Sequence, residues 1–251
     1  MCLILFAYRA HPLYKLIVAA NRDEFYQRPT APAHFWRDIP HILAGRDLDK
    51  MGTWMGVTQE GRFSALTNYR DPKAITVGKR SRGELVVDAL KIKGNLQDYM
   101  QDLRKTNDQY PGYNLVAGDL NELYYYSNVG LQLQRIEPGI YGVSNHLLNT
   151  EWPKVRTGKE GMTRIIDENH EDIAEKLFHL LSNESFFQDE LLPHSGVSLE
   201  WERTLSPLFI KSKNYGTRSS TVLLMSDQEI QYTERVFSNG GATDRRFTIK
   251  L

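Results

Sequence analysis

The first twenty residues contain two apolar runs that decide the fold: CLILFAY at residues 2–8 and YKLIVAA at residues 14–20. His11 and Pro12 lie between them, and two such runs around a short turn indicate a β-hairpin. Successive side chains of a strand point to opposite faces, and these runs are apolar at nearly every position. Both faces of the hairpin therefore need a cover, which predicts a sheet between two other layers.

Beyond the hairpin, blocks of strands alternate with pairs of helices. Residues after Asn21 are polar and rich in proline, which predicts a loop. Helical periodicity and the capping-box spacing of Ser81 and Glu84 predict one helix start. Strands are predicted at 53–58, 62–69, 113–117, 123–126, 131–136, 141–144, 219–225, 230–236 and 246–249, and further helices at 96–103, 155–167 and 173–181. Short turns join most strands, so we predict mainly antiparallel sheets in an α+β fold, with residues 1–251 as a single domain.

Composition narrows the classes of function. The 31 basic and 31 acidic residues cancel, and without a basic block the chain is a poor candidate for binding nucleic acid. No apolar run approaches the roughly 20 residues of a transmembrane helix. A single cysteine excludes an intrachain disulfide and favours a reducing compartment, so a cytoplasmic protein is predicted.

Cys2 is the first candidate for chemistry. A lone cysteine usually behaves as a small buried hydrophobe, and that interpretation stays open. Removal of Met1 would, however, give Cys2 a free α-amine as well as a thiol. With a reference pKa of roughly 8, the amine can accept the proton of the thiol, as N-terminal nucleophiles require.

Four polar side chains, Asn21-Arg22-Asp23-Glu24, directly follow the second apolar run. They form either a solvated turn with a helix cap or a cluster that the hairpin returns to Cys2. Beside Cys2, an arginine favours the thiolate, and a carboxylate can hold the amine.

Polar residues also occur at the ends of three later strands. They are TNYR at 67–70, SNH at 144–146 and GTRSS at 216–220. An asparagine amide at such a position either donates to an oxyanion or caps a turn. Arg218 points either into a cleft or into solvent.

Nine segments together carry a resemblance to a known family. They are Met1-Cys2-Leu3, AANRDEF at 19–25, GTWMG at 52–56, TNYR at 67–70, SRG at 81–83, YNL at 113–115, GVSN at 142–145, WPKV at 152–155 and TRSS at 217–220. With them the sequence resembles the NRDE family, the family of transport and Golgi organisation protein 2, over essentially its whole length. Glu151 departs from the proline expected there and lies in a predicted loop.

The NRDE family is similar to N-terminal-nucleophile hydrolases of the bile-salt hydrolase and penicillin V acylase kind. The resemblance implies a four-layer α-β-β-α sandwich. It makes Cys2 the nucleophile, flanked by Arg22 and Asp23, and Asn145 an oxyanion donor with Asn68 or Tyr69. Arg218 would complete the polar pocket. In those hydrolases the arginine and aspartate are a few residues apart, so the roles of Asn21, Arg22 and Asp23 stay open.

Three functions follow from this resemblance. The first is hydrolysis of a non-peptide carbon–nitrogen amide with no required cofactor, in which Asn21, Asn68, Tyr69 and Arg70 contact the substrate. The second is a non-catalytic carrier of haem, acyl-CoA or another acyl lipid, in which arginines such as Arg22, Arg70 or Arg218 bind propionate or phosphate. The third is an interaction module with a relict site.

Overall fold

Thirteen strands are found in the computed structural model, which describes residues 2–168, 172–238 and 240–251. They are β1 (Cys2–Tyr8), β2 (Leu16–Phe25), β3 (Thr30–Phe35), β4 (Ile42–Asp47), β5 (Met55–Thr58), β6 (Phe63–Asn68), β7 (Tyr113–Gly118), β8 (Leu123–Ser127), β9 (Leu133–Arg135), β10 (Gly139–Val143), β11 (Tyr215–Met225), β12 (Glu229–Ser238) and β13 (Gly241–Lys250). The described residues also form helices α1 (Gly83–Lys91), α2 (Leu96–Asp102), α3 (Pro153–Asp167), α4 (Ile173–Leu181) and α5 (Leu199–Thr204), with 3₁₀ turns at Leu103–Gln109 and Asp189–Leu191.

The strands form two antiparallel sheets. The first sheet has the order β10-β1-β2-β11-β12-β13, and the second runs from β3 to β9 in chain order. The predicted hairpin of β1 and β2 lies inside the first sheet, with β10 on one side and β11 on the other. The N-terminal residues are therefore held by strands on both sides.

Alternating side chains of β1 face two different layers. Ile4 and Phe6 belong to a core between the two sheets. Leu3 and Leu5 belong to a second core with residues of α3 and α4. A third core joins α1 and α2 to the outer face of the second sheet. The layers follow the order α-β-β-α, so the predicted α+β sandwich is confirmed.

One prediction about the hairpin is wrong. The polar segment after residue 20 is not a loop, because β2 continues to Phe25. Arg22 pairs with Cys2 of β1 on one side and with Ser219 of β11 on the other. Backbone pairing on both edges keeps the polar residues in the strand, since each amide finds a partner there.

The proline-rich segment that follows also contains strands. β3 includes Pro32, and its pairing with β4 shifts register between Ala31 and His34. Such an irregularity at an edge strand accommodates a residue that has no N–H to donate. The strands β3 and β4 and the helix α5 were not predicted from the sequence.

The start of α1 differs from its prediction as well. The helix begins at Gly83, and Ser81 does not cap it with its side chain. Glu84 instead pairs with Arg80 at 2.8 Å. In the described part of the chain, no helix is both long and apolar enough to cross a membrane.

Candidate active site

Cys2 lies half-buried at the first position of β1 and lines a cleft of ≈ 620 Å³. Its Cα pairs with that of Arg22 across the hairpin. The hydroxyl of Ser144, just past the end of β10, donates to the carbonyl of Cys2 at 3.1 Å. Both neighbouring strands thus fix the position of the thiol at the cleft wall.

Burial raises the pKa of the Cys2 thiol above its usual value. The guanidinium of Arg22 and a hydrogen bond from the backbone N–H of Asp23 act in the opposite direction without cancelling the effect of burial. The thiol is therefore protonated at neutral pH, and only a thiolate is an effective nucleophile. Chemistry at this sulfur needs a base beside it.

Arg22 faces the same cleft from β2 and is only 6% exposed. Its guanidinium stacks over the ring of Trp54, 4.1 Å from the centroid. One guanidinium nitrogen lies 3.9 Å from the carboxylate of Asp47, a loose ion pair. The other terminal nitrogen, Nη1, has no hydrogen-bond acceptor in the described structure.

Asp23 also lines the cleft, and its carboxylate and the side chain of Lys154 are both buried. The hydroxyl of Thr217 donates to Oδ1 of Asp23 at 2.7 Å. Burial raises the pKa of Asp23, and the charge of Lys154 opposes that rise. Lys154 itself donates to the carbonyl of Leu205 at 3.1 Å, and burial lowers its pKa to about 8. Lys154 thus favours an ionised Asp23 close to the start of β1.

Two asparagines lie on the opposite side of Cys2. Asn68 ends β6 and lines the cleft, and no hydrogen bond to a described residue restrains its side-chain amide. Asn145 is fully buried and donates through Nδ2 to the carbonyl of Asn68 at 2.9 Å. Its own carbonyl accepts from the N–H of Arg70 at 2.7 Å. The pair therefore joins the ends of β6 and β10 next to Cys2. Asn68 is the member that lines the cleft, whereas Asn145 lies behind it and is not among the lining residues.

Asn21 does not line this cleft. Its Nδ2 donates to the carbonyls of Leu181 and Leu208, at 2.9 and 2.8 Å. Its Oδ1 accepts from Ser220 at 2.5 Å. These partners lie on the helix side of the first sheet, so Asn21 ties the end of α4 to β2 and β11.

We expect Asn21→Leu to lower the free energy of unfolding by about 1–3 kcal/mol, because it leaves two buried carbonyls and the Ser220 hydroxyl without their partner. Urea denaturation of the variant measures this loss. The thiol of the folded variant should react with iodoacetamide at the wild-type rate. A changed thiol rate with unchanged stability would instead place Asn21 in the site.

Three further candidates are also not among the residues that line the cleft. Tyr69 packs against His146, with ring centroids 5.0 Å apart. Arg70 pairs with the buried carboxylate of Glu202 at 2.7 Å. Arg218 lies in a β-bulge and donates to the carbonyls of Phe25 and Arg28, at 2.9 and 3.1 Å.

Arg82 is a cleft residue to which the sequence patterns gave no role. Gly52 lets the start of α1 approach, since a Cβ there would lie 2.7 Å from the carbonyl carbon of Gly83. The N–H of Thr53 donates to that carbonyl at 3.3 Å. Arg82 is thereby held half-buried in the cleft lining, where its Nη1 donates to the carbonyl of Gly112 at 3.1 Å. The position of Arg82 directly before a helix gave no sequence signal for a cleft residue.

Comparison with known proteins agrees with this architecture. The profile of the family described as "Transport and Golgi organisation 2" matches residues 1–239. The transport and Golgi organization protein 2 homolog of Bos taurus is 34% identical over 260 residues, covering 94% of this chain and 92% of the bovine protein. The human homolog is 33% identical with the same coverage.

A solved structure with a similar fold is the C2A mutant of the conjugated bile acid hydrolase from Clostridium perfringens. Its TM-score is 0.53 and its identity 10%, and the match covers 100% of this chain and 97% of the hydrolase. At this identity the likeness shows a shared fold, without transferring the role of any residue.

Proposed function

This chain belongs to the Transport and Golgi organisation 2 family, and we propose that it is an N-terminal cysteine hydrolase of a non-peptide amide. The observation that carries the proposal is the position of Cys2. Its thiol lies at the wall of a cleft with Arg22 directly across the hairpin and Asp23 next in β2. The proposal requires removal of Met1, which gives Cys2 a free α-amine.

The raised pKa of the thiol explains why the amine is needed. A thiol that stays protonated must lose its proton during attack, and the α-amine is attached to the same residue. The sulfur bonds to the carbonyl carbon of the amide while the amine takes the thiol proton. The carboxylate of Asp23 orients the resulting ammonium, and Thr217 holds that carboxylate in place.

The oxygen of the attacked carbonyl becomes an oxyanion at this step. The side-chain N–H of Asn68 is the proposed donor, and Asn145 holds the backbone of Asn68 in place through its hydrogen bond. One such donor is worth on the order of 10²–10³-fold in rate in comparable sites. Collapse of the intermediate breaks the carbon–nitrogen bond, and the ammonium returns its proton to the leaving amine. Water then hydrolyses the thioester, which releases a carboxylic acid and restores the thiol.

The carrier function remains a prediction, and the character of the cleft does not favour it. A site for haem or an acyl chain is mostly apolar with a few polar groups at its mouth. Of the twenty described residues that line this cleft, ten are charged. The large apolar side chains among them are Trp54, Leu66 and Pro111. An amide with polar substituents suits such a lining better.

The proposal is tested by comparing two forms of the same chain. In the first form, a site-specific protease removes a fusion directly before Cys2, so that Cys2 becomes the N-terminal residue. In the second form, a residue that is not removed precedes Cys2 and blocks its α-amine. We expect the free form alone to cleave members of a panel of acyl p-nitroanilides and N-acyl amines. It should also react with iodoacetamide at a lower pH, because a neighbouring ammonium lowers the pKa of the thiol.

Intact mass verifies the N-terminus of each form, and circular dichroism verifies that both are folded. Equal turnover by the two forms would exclude the α-amine as the base. Absence of turnover in the free form, together with saturable binding of haemin or acyl-CoA, would replace hydrolysis with the carrier function.

A further inference from the structure

The charge of the cleft is not balanced. Among the described residues, six cationic and four anionic side chains line it. Arg28 holds Asp47 through two hydrogen bonds, at 2.6 and 3.2 Å, which neutralises that pair. Arg80 holds Glu84 through two hydrogen bonds to one carboxylate oxygen, at 3.0 and 2.8 Å. Two of the four carboxylates are therefore already occupied by arginines of the cleft itself.

The two other arginines of the lining, Arg22 and Arg82, have no close carboxylate. Arg22 reaches Asp47 only at 3.9 Å, and its buried Nη1 has no acceptor in the described structure. Arg82 donates to a backbone carbonyl, and no acidic group of the described residues lies within 4 Å of it. Glu24 lies in the same lining, but its Oε1 accepts from the N–H of Phe25 at 2.9 Å and pairs with neither arginine.

A buried guanidinium nitrogen without an acceptor is costly, because burial removes its water without supplying a replacement. Burial also lowers the pKa of both Arg22 and Arg82, and negative charge on the Cys2 sulfur or on Glu24 acts in the opposite direction. The two cations therefore lie within electrostatic reach of the reacting sulfur. A bound anion would satisfy the free donors and balance the charge of the cleft.

We propose that Arg82, together with Nη1 of Arg22, forms a subsite for a carboxylate carried by the substrate. This inference rests on the proposed function and names its substrate class, an amide with a carboxylate near the scissile bond. Guanidinium groups suit this task because their planar fork matches the two oxygens of a carboxylate. Arg82 then determines specificity, and the bond cleavage remains with Cys2.

Two pairs of probes test the subsite on the chain with a free Cys2. N-octanoylglycine and N-octanoylglycinamide differ in a carboxylate on the leaving amine. Glutaryl and pentanoyl p-nitroanilide differ in a carboxylate on the acyl group. We expect the acid to be preferred in kcat/KM in at least one pair, by about tenfold to a hundredfold, as for hydrogen bonds to a charged group. Arg82→Gln should abolish that preference, mainly through KM.

Arg82→Lys and Arg80→Gln are the matched variants. Arg82→Lys keeps the positive charge without the planar guanidinium group and should restore part of the preference for the acid. Arg80 already holds Glu84, so Arg80→Gln should keep the wild-type preference. Equal kcat/KM values of the wild type for the acid and the neutral member of both pairs would overturn the subsite. An Arg82→Gln variant that lowers kcat/KM equally for both members would also overturn it, because Arg82 would then act at the reaction centre.

A binding measurement separates this inference from the proposed reaction. Calorimetric titration of the Cys2→Ala chain with the two acids requires no turnover. If the Cys2→Ala chain binds an acid that the added Arg82→Gln change weakens at least tenfold, while the chain with a free Cys2 cleaves no amide, the subsite is retained and the hydrolase proposal is removed. Turnover of neutral amides with no saturable binding of either acid would retain the hydrolase and remove the subsite.

Discussion

Replacement of Cys2 by alanine is expected to lower amide hydrolysis to the rate of the buffer, a loss on the order of 10³-fold or more. In the proposed reaction the sulfur of Cys2 bonds to the carbonyl carbon of the substrate, and Cys2 is the single cysteine of the chain. The change removes one half-buried sulfur at the start of β1, so we expect the free energy of unfolding to change by less than about 1 kcal/mol. Initial rates and urea denaturation measure the two effects.

Cys2→Ser is the matched control for this result. Serine keeps the α-amine and nearly the same shape, so substrate should still bind while the weaker nucleophile slows acylation. We expect serine to show a rate between those of alanine and cysteine, with KM close to that of the wild type. An alanine variant that keeps the wild-type rate would place the nucleophile elsewhere and end the proposal.

The layered fold was predictable from the sequence because its signal is local. In the run Cys2–Tyr8, each position is apolar, and the structure divides these side chains between two cores. Leu3 and Leu5 meet helices, whereas Ile4 and Phe6 meet the other sheet. A strand that is apolar on both faces can be recognised without knowing its neighbours, and so can the need for two covering layers.

The extent of β2 was not predictable in this way. Asn21, Arg22 and Asp23 have the polarity of a turn, but each is buried in a strand. What keeps them there are partners far away in the sequence, such as Leu208 for Asn21 and Thr217 for Asp23. Local composition describes the residue, whereas pairing across the sheet decides its conformation.

The same limit applies to the candidate site. Position 2 pointed to Cys2, and the hairpin was expected to return the polar segment 21–24 to it. Which residue of that segment meets Cys2 was left open, and the register of β1 and β2 pairs Arg22 with it. The contribution of Arg82 depends on the close approach of Gly52 to the start of α1, and that of Lys154 depends on the packing of α3 beside Asp23. Neither contact leaves a local signal, so the sequence patterns contained both residues without assigning them a role.

Replacement of Arg70 by methionine is expected to lower the free energy of unfolding by about 3–5 kcal/mol. The side chains of Arg70 and Glu202 are 5% and 4% exposed and lie 2.7 Å apart. Without Arg70, the buried carboxylate of Glu202 would keep two hydrogen bonds from Ser195 but lose its counter-charge. Urea denaturation followed by tryptophan fluorescence measures the loss.

A double variant identifies the uncompensated charge as the cause. Arg70→Met with Glu202→Leu removes both charges, and apolar replacement of a buried ion pair is often neutral or stabilising, so most of the lost stability should return. The exposed pair of Arg203 and Asp189 is the control, since solvent screens it and Arg203→Met should leave stability nearly unchanged. If the double variant were as unstable as Arg70→Met, the loss would come from packing against Trp152, over whose ring Arg70 stacks at 4.8 Å.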